Sequence, residues 1–204
     1  MRRDPNEPIV TVIYHEADAD PTPLAGATVA VVGYGNQGRC WALNLRDSGL
    51  DVRVHVRADT SRDAAVADGF AVADLDGMHG ADVVCLLVPD DVIPTVEVVP
   101  RDDALVVLAS GYCLAFDRVR YPCDVGMIAP RMLGPEVRRC YEEGVGFITA
   151  LGVHAEVTGW AKARLLALAG AIGGLRQGVI ELTAMQEAVL DLAVEQALAP
   201  RCAG

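Results

Sequence analysis

The stretch VAVVGYGNQGRCWALNL, residues 29–45, constrains the fold of this chain more than any other. Four apolar residues of strand character lead into Gly33, Gly35 and Gly38, spaced G-x-G-x-x-G, and helical spacing begins directly after them. Each glycine has its own task in that order. The first permits a tight turn, the second lets backbone approach an anion, and the third lets the helix pack closely on the strand. The helix N-terminus adds unpaired N–H groups and a positive dipole end. A turn with a purely structural role does not need all three glycines, so the pattern predicts a dinucleotide-phosphate loop. Its binding residues are Gly33, Tyr34, Gly35, Asn36, Gln37 and Gly38.

From Thr28 onward strand signals alternate with helical ones: TVAVVGYG, NQGRCWALNLRDSG, DVRVHVR, SRDAAVADGF, ADVVCLLVP, ALVVLAS and DVGMIAP. Alternation of this kind means a parallel sheet covered by helices. The predicted fold is α/β, a Rossmann-type doubly wound parallel sheet with a short C-terminal helical segment. Residues 1–24, which include the run IVTVIY among prolines and acids, form an N-terminal arm or edge strand. Residues 25–150 form the NAD(P)-binding domain. Residues 151–204 read as a helical dimerisation segment, with Gly173 and Gly174 separating two helices, the second running through VIELTAMQEAVLDLAVEQALA. The alanine and leucine faces after Trp160 look too wide for one contact surface, which predicts a homodimer through the C-terminal helices.

Composition removes several function classes. Twenty-eight acidic against 17 basic residues give a net charge of −11, which opposes nucleic acid. No apolar run reaches the roughly 18 residues of a membrane span, and MRRDPNEP is unlike an export signal, so a cytoplasmic protein without a membrane partner is expected. Six cysteines (Cys40, Cys85, Cys113, Cys123, Cys140, Cys202) form no C-x-x-C pair and read as free thiols. Lys162 is the only lysine and reads as part of a solvated helix face; Trp41 and Trp160 read as core. His15, His55 and His79 are isolated and lack ligand spacing, and His154 reads as structural.

The second strand ends in Arg57 and runs into Asp59, Thr60, Ser61 and Arg62. Guanidinium and hydroxyl donors suit a 2′-phosphate, so Arg57, Thr60, Ser61 and Arg62 favour NADPH. Asp59 argues the other way, because a carboxylate there suits the ribose hydroxyls of NADH. Val88 and Pro89, ending the run ADVVCLLVP, complete the predicted cofactor contacts.

The sequence also resembles the ketol-acid reductoisomerase (acetohydroxy acid isomeroreductase) family. The resemblance is carried by LAGATVAVVGYGNQGRCWALNLRDSGLDV, ADVVCLLVPD, VGMIAP, VRRCYEEGVG, VHAEVTG, IGGLRQGVIE and the spaced acids of LDLAVEQA. It implies NADPH, a small-molecule substrate, and Mg²⁺ held by carboxylates at the positions of Asp191 and Glu195. Departures fall where the family does its chemistry. Its H-G-F-N stands here as Ser110, Gly111, Tyr112 and Cys113, and its A-P-K-G-P-G-H as Ala129 to Pro135, with Arg131 in place of the lysine. Further metal ligands are implied to come from a C-terminal knotted domain that these 204 residues do not include, so Mg²⁺ is not expected and no metal residue is assigned.

The expected activity is an NAD(P)H-dependent reductase of a small ketone or imine without isomerase chemistry, in specialised metabolite biosynthesis. Asp191, Glu195, Tyr112 and Ser110 are the catalytic candidates, as proton donors or substrate anchors. Their plainer readings are a solvated helix face shared with Glu181 and Glu187, loop packing for Tyr112, and a turn serine for Ser110. A non-catalytic NADPH-binding or regulatory subunit and a true Mg²⁺-dependent reductoisomerase remain as alternatives.

Overall fold

The computed structural model describes residues 11–75 and 78–194. Nine strands form one sheet: β1 Ile13–Tyr14, β2 Thr28–Val32, β3 Asp51–His55, β4 Ala71–Ala73, β5 Val83–Leu86, β6 Leu105–Leu108, β7 Asp124–Pro130, β8 Thr149–Ala155 and β9 Val179–Glu181. Among the described residues six α-helices accompany them: α1 Asn36–Asp47, α2 Thr60–Ala67, α3 Tyr112–Ala115, α4 Gly134–Glu142, α5 Ala161–Ile172 and, after the last strand, α6 Ala184–Leu192. The strand order is β1-β9-β8-β7-β6-β5-β2-β3-β4. From β4 to β7 every pairing is parallel, and the order reverses beside β2. That is the expected doubly wound sheet, and it puts the glycine loop at the reversal point, where such sheets bind ligands.

Residues in these strands alternate between two cores. Val29 and Val31 of β2 join Trp41, Leu45, Leu105 and Leu168 on one face. Ala30 and Val32 join Val84, Leu86, Val106 and Met127 on the other. Burial on both faces explains why β2, β5 and β6 read as continuous apolar runs, whereas β3, with Asp51 and Arg53 exposed, alternates.

The C-terminal quarter differs from its all-helical expectation. Residues 149–155 and 179–181 are strands of the same sheet, β8 running antiparallel to β7 and β9 parallel to β8. β1 closes the edge antiparallel to β9, as an N-terminal edge strand. The long helix expected through VIELTAMQEAVLDLAVEQALA starts later, at Ala184, where Thr183 and Gln186 form a capping box. Nor does α5 need a second copy to cover it, since Leu165, Leu168 and Ile172 are fully buried in the single chain. Gly126 makes this possible, because a Cβ there would lie 2.4 Å from a Leu165 methyl. Gly173, at φ 98°, ends α5 in the left-handed conformation, as its position predicts. Trp41 is core, but Trp160 is 59% exposed at the start of α5, a correction to its expected burial. Lys162 is not simply solvated: it pairs with Glu181 at 3.0 Å and lies 5.1 Å over the Tyr14 ring, holding β1 to the sheet. No helix among the described residues is long and apolar enough to cross a membrane.

Asp124 anchors the turn into α5. Its buried carboxylate accepts from Val157 N at 2.7 Å, Thr158 N at 3.0 Å and Thr158 Oγ1 at 2.5 Å. Burial pushes this carboxyl up, but the three donors outweigh it and hold it below its ordinary value. A carboxyl depressed by folding adds stability above its unfolded pKa and loses it as pH falls through the folded one. Asp124→Ala is therefore expected to cost about 3 kcal/mol at neutral pH in urea unfolding. The gap to wild type should shrink only below the ordinary carboxylate range; a gap unchanged there would assign the loss to packing.

Candidate functional site

The glycine loop shows the division of labour read from its spacing. Gly33 has φ 93°, and a Cβ on it would meet Leu87 O at 2.8 Å. A Cβ on Gly38 would lie 2.1 Å from Gly33 O, so α1 starts in direct backbone contact with the end of β2. Gly35 is different: a Cβ there meets nothing within 4 Å. It is exposed at the N-cap of α1, with no side-chain cap on the first turn. Open space beside uncapped N–H groups fits a pyrophosphate.

Side chains around the loop fasten it from below. Tyr34 is buried, its hydroxyl donating to Asp68 at 2.7 Å, and burial pushes that hydroxyl well above its usual range. Arg39 donates to the same carboxylate at 2.7 Å and holds it below the carboxylate range. Gln37 donates to Met132 O at 3.0 Å, and Gly134 packs so closely that a Cβ would fall 1.9 Å from Asn36 O. The residues 132–134 thus close one side of the loop and leave Gly35 open.

A cleft runs from Gly33 and Gly35 past Val88 and Pro89 to Arg57, Asp59 and Ser61. Two of the four predicted phosphate donors, Arg57 and Ser61, line it. Thr60 is exposed beside it, and Arg62 is paired with Asp74 at 2.9 Å. The carboxylate of Asp59 accepts from Ser61 N at 2.9 Å, capping α2.

The carboxyl ends of β5, β6 and β7 deliver Asp90, Ser110 and Arg131 to the far end of the same edge. Ser110 Oγ donates to Asp90 at 2.8 Å. Cys113 donates to the Asp90 carbonyl, and burial, helped by the Asp90 charge, pushes its thiol up to about 11, so it is no nucleophile at neutral pH. Tyr112 is half-buried, its ring 5.1 Å from that of Phe116. His154 is exposed on β8, and His55 is buried with Nδ1 2.9 Å from the Asp74 carbonyl.

Helix α6 lies across this end. Its Glu187, read from sequence as part of a solvated face, is 1% exposed. One oxygen accepts from Gly111 N at 2.6 Å and the other from Arg131 Nη1 at 2.8 Å. Burial pushes this carboxyl up, while the Gly111 N–H and the Arg131 charge oppose the rise. Since both neighbours are donors, the ionised form is the one the geometry satisfies. Asp191, one turn on, pairs with Arg131 Nη2 at 3.0 Å. Glu195 lies outside the described residues, as does Cys202. The signal for Glu187 was its place four residues before Asp191 on one helix face. What the sequence hid was that Arg131 reaches that face from β7.

This arrangement does not suit a divalent ion at Asp191. A dication 4 Å from a guanidinium is repelled by about 8 kcal/mol at an effective dielectric of 20. Among the described residues no group of three or more His, Cys, Asp or Glu is placed to hold a metal.

Comparison with known proteins agrees with this architecture. Residues 23–178 match the family model described as acetohydroxy acid isomeroreductase, NADPH-binding domain. A ketol-acid reductoisomerase (NADP(+)) of Caldivirga maquilingensis is 45% identical over 192 residues, 90% of this chain and 58% of the relative. The structure of an NADH-preferring ketol-acid reductoisomerase from an uncultured archaeon superposes with a TM-score of 0.91 at 32% identity, covering 94% of this chain and 62% of that one. An imine reductase from Myxococcus stipitatus, at 16% identity and a TM-score of 0.66, shares the fold alone. The chain spans about three fifths of the length of these two reductoisomerases. With its glycine loop, strand order and matched residues taken together, this chain belongs to the acetohydroxy acid isomeroreductase family through its NADPH-binding domain.

Proposed function

We propose that this chain binds NADPH along the cleft from Gly35 to Arg57 and reduces a small C=O or C=N compound without the alkyl migration of a reductoisomerase. The observation that carries the reading is the Gly35 cradle, open where a pyrophosphate needs room between the closely packed Gly33 and Gly38. When bound, the cofactor supplies hydride to the substrate. Gly33 to Gly38 hold its phosphates, Val88 and Pro89 border the cleft, and Arg57 and Ser61 receive the 2′-phosphate. Ser110, with Asp90 behind it, faces the proton transfer that reduction requires, and Asp191, with Tyr112 and Glu195 as further candidates, serves the substrate. Migration needs metal-polarised oxygens, and Arg131 seated on Asp191 opposes that arrangement. Five buried thiols, Cys40, Cys85, Cys113, Cys123 and Cys140, support a reducing, cytoplasmic location. A role in specialised metabolite biosynthesis belongs to the same proposal.

The homodimer also belongs here, narrowed to α6. Met185, Val189, Leu190 and Leu192 are each more than two fifths exposed on that helix. Sedimentation should find a dimer at micromolar concentration that Val189→Glu dissociates; a wild-type monomer would remove it.

Two variants test the cofactor site. Gly35→Ala adds a methyl that touches no protein atom, so unfolding should stay within about 1 kcal/mol of wild type. NADPH affinity should fall at least about 30-fold, and with it NADPH oxidation against a panel of 2-oxo acids and cyclic imines. Unchanged affinity would place the cofactor elsewhere. Arg57→Ala is expected to weaken NADPH about 10-fold while leaving NADH within about twofold. Equal loss of both would show that Arg57 does not read the 2′-phosphate.

A further inference from the structure

We propose that Arg131 is the positive group that polarises the substrate, held between Glu187 and Asp191 where a metal-dependent site would need a divalent ion, so that reduction proceeds without metal. The proposal deepens the reductase reading and rests on it.

Three observations meet at this side chain. Its Nη1 and Nη2 bond carboxylates on successive turns of α6, at 2.8 and 3.0 Å, so the two arms of one planar fork each hold a different carboxylate. Both oxygens of Glu187 are engaged, because Gly111 N donates to the other at 2.6 Å. Finally, Arg131 directly follows Pro130, the last residue of β7, at the carboxyl edge that also carries Ser110 and Asp90. Gly111 adjoins Ser110, so one buried carboxylate fixes both the guanidinium and the turn bearing the serine. The Arg131 side chain is 21% exposed, so it is not sealed from solvent at that edge.

The guanidinium stays protonated at every working pH, and its role is to hydrogen-bond the charge that develops on the substrate. As the substrate carbon gains hydride, the π pair of the C=O or C=N bond moves onto oxygen or nitrogen beside Arg131. The proton that atom then needs comes through Ser110, with water replacing it. The hydride would come from the dihydronicotinamide of bound NADPH, which would be oxidised by two electrons as the C=O or C=N bond is reduced.

The test pairs a binding measurement with kinetics on the full chain. Calorimetric titration of wild type with Mg²⁺ should show no binding at millimolar concentration, and turnover should be the same with and without a chelator. Arg131→Met should lower kcat about 100-fold with NADPH affinity unchanged. Arg131→Lys, which keeps the charge if the methionine variant fails to fold, should lower kcat about 10-fold without gaining Mg²⁺ binding. Wild-type Mg²⁺ binding that Asp191→Asn abolishes, or wild-type kcat in the variants, would overturn the assignment. A wild-type chain that binds NADPH and excludes Mg²⁺ yet reduces no substrate in the panel would remove the reductase reading itself, and the polarising role with it.

Discussion

The backbone contact between Gly38 and the carbonyl of Gly33 is the constraint on which the rest of this molecule is arranged. It docks the first turn of α1 onto the end of β2 with no side chain between them, which aims the uncapped N–H groups past Gly35 into the cleft. A second contact of the same kind, Gly134 against the carbonyl of Asn36, brings α4 onto the other side of the loop. Two glycine contacts therefore fix the loop while leaving Gly35 open to an anion, at the point where the strand order turns.

Chemistry at the carboxyl ends of β6 and β7 depends on a buried carboxylate. Burial opposes the ionisation of Glu187, while a backbone N–H and a guanidinium that both donate to it favour it. Removing one partner from such a group costs more than the pair contributes, so Arg131 and Glu187 constrain each other. Their position ties three strand ends and α6 into one unit. The lysine-to-arginine difference noted from the family resemblance is thus a change of geometry as well as of residue, one fork gripping two carboxylates.

Much of the fold was legible in the chain itself. Of the six strands from Thr28 to Pro130, β2, β5, β6 and β7 have long apolar runs because both of their faces are covered, and glycines mark the turn after β2 that backbone sterics dictate. The segment after residue 150 was less legible. Strand β8 carries Gly152 and two alanines and leads into an alanine-rich helix, and β9 is only three residues, so periodicity could not separate them from the helices. The wide apolar face of α5 suggested a partner chain, whereas the sheet and α1 of the same chain cover it. At the site, the cofactor residues announced themselves through local spacing. Glu187 shared a helix face with Asp191, but its role, like that of Asp90, depends on which strand end meets α6, a fact of tertiary structure that no local pattern carries.

The central claim is that a dinucleotide rests on the amides after β2. A crystal structure of the chain grown with NADPH measures this directly. The account predicts pyrophosphate oxygens within hydrogen-bonding distance of the backbone N–H groups of residues 35–37, over the open face of Gly35. Crystals soaked to saturation whose density places the nucleotide elsewhere, or leaves that face to solvent, would contradict it.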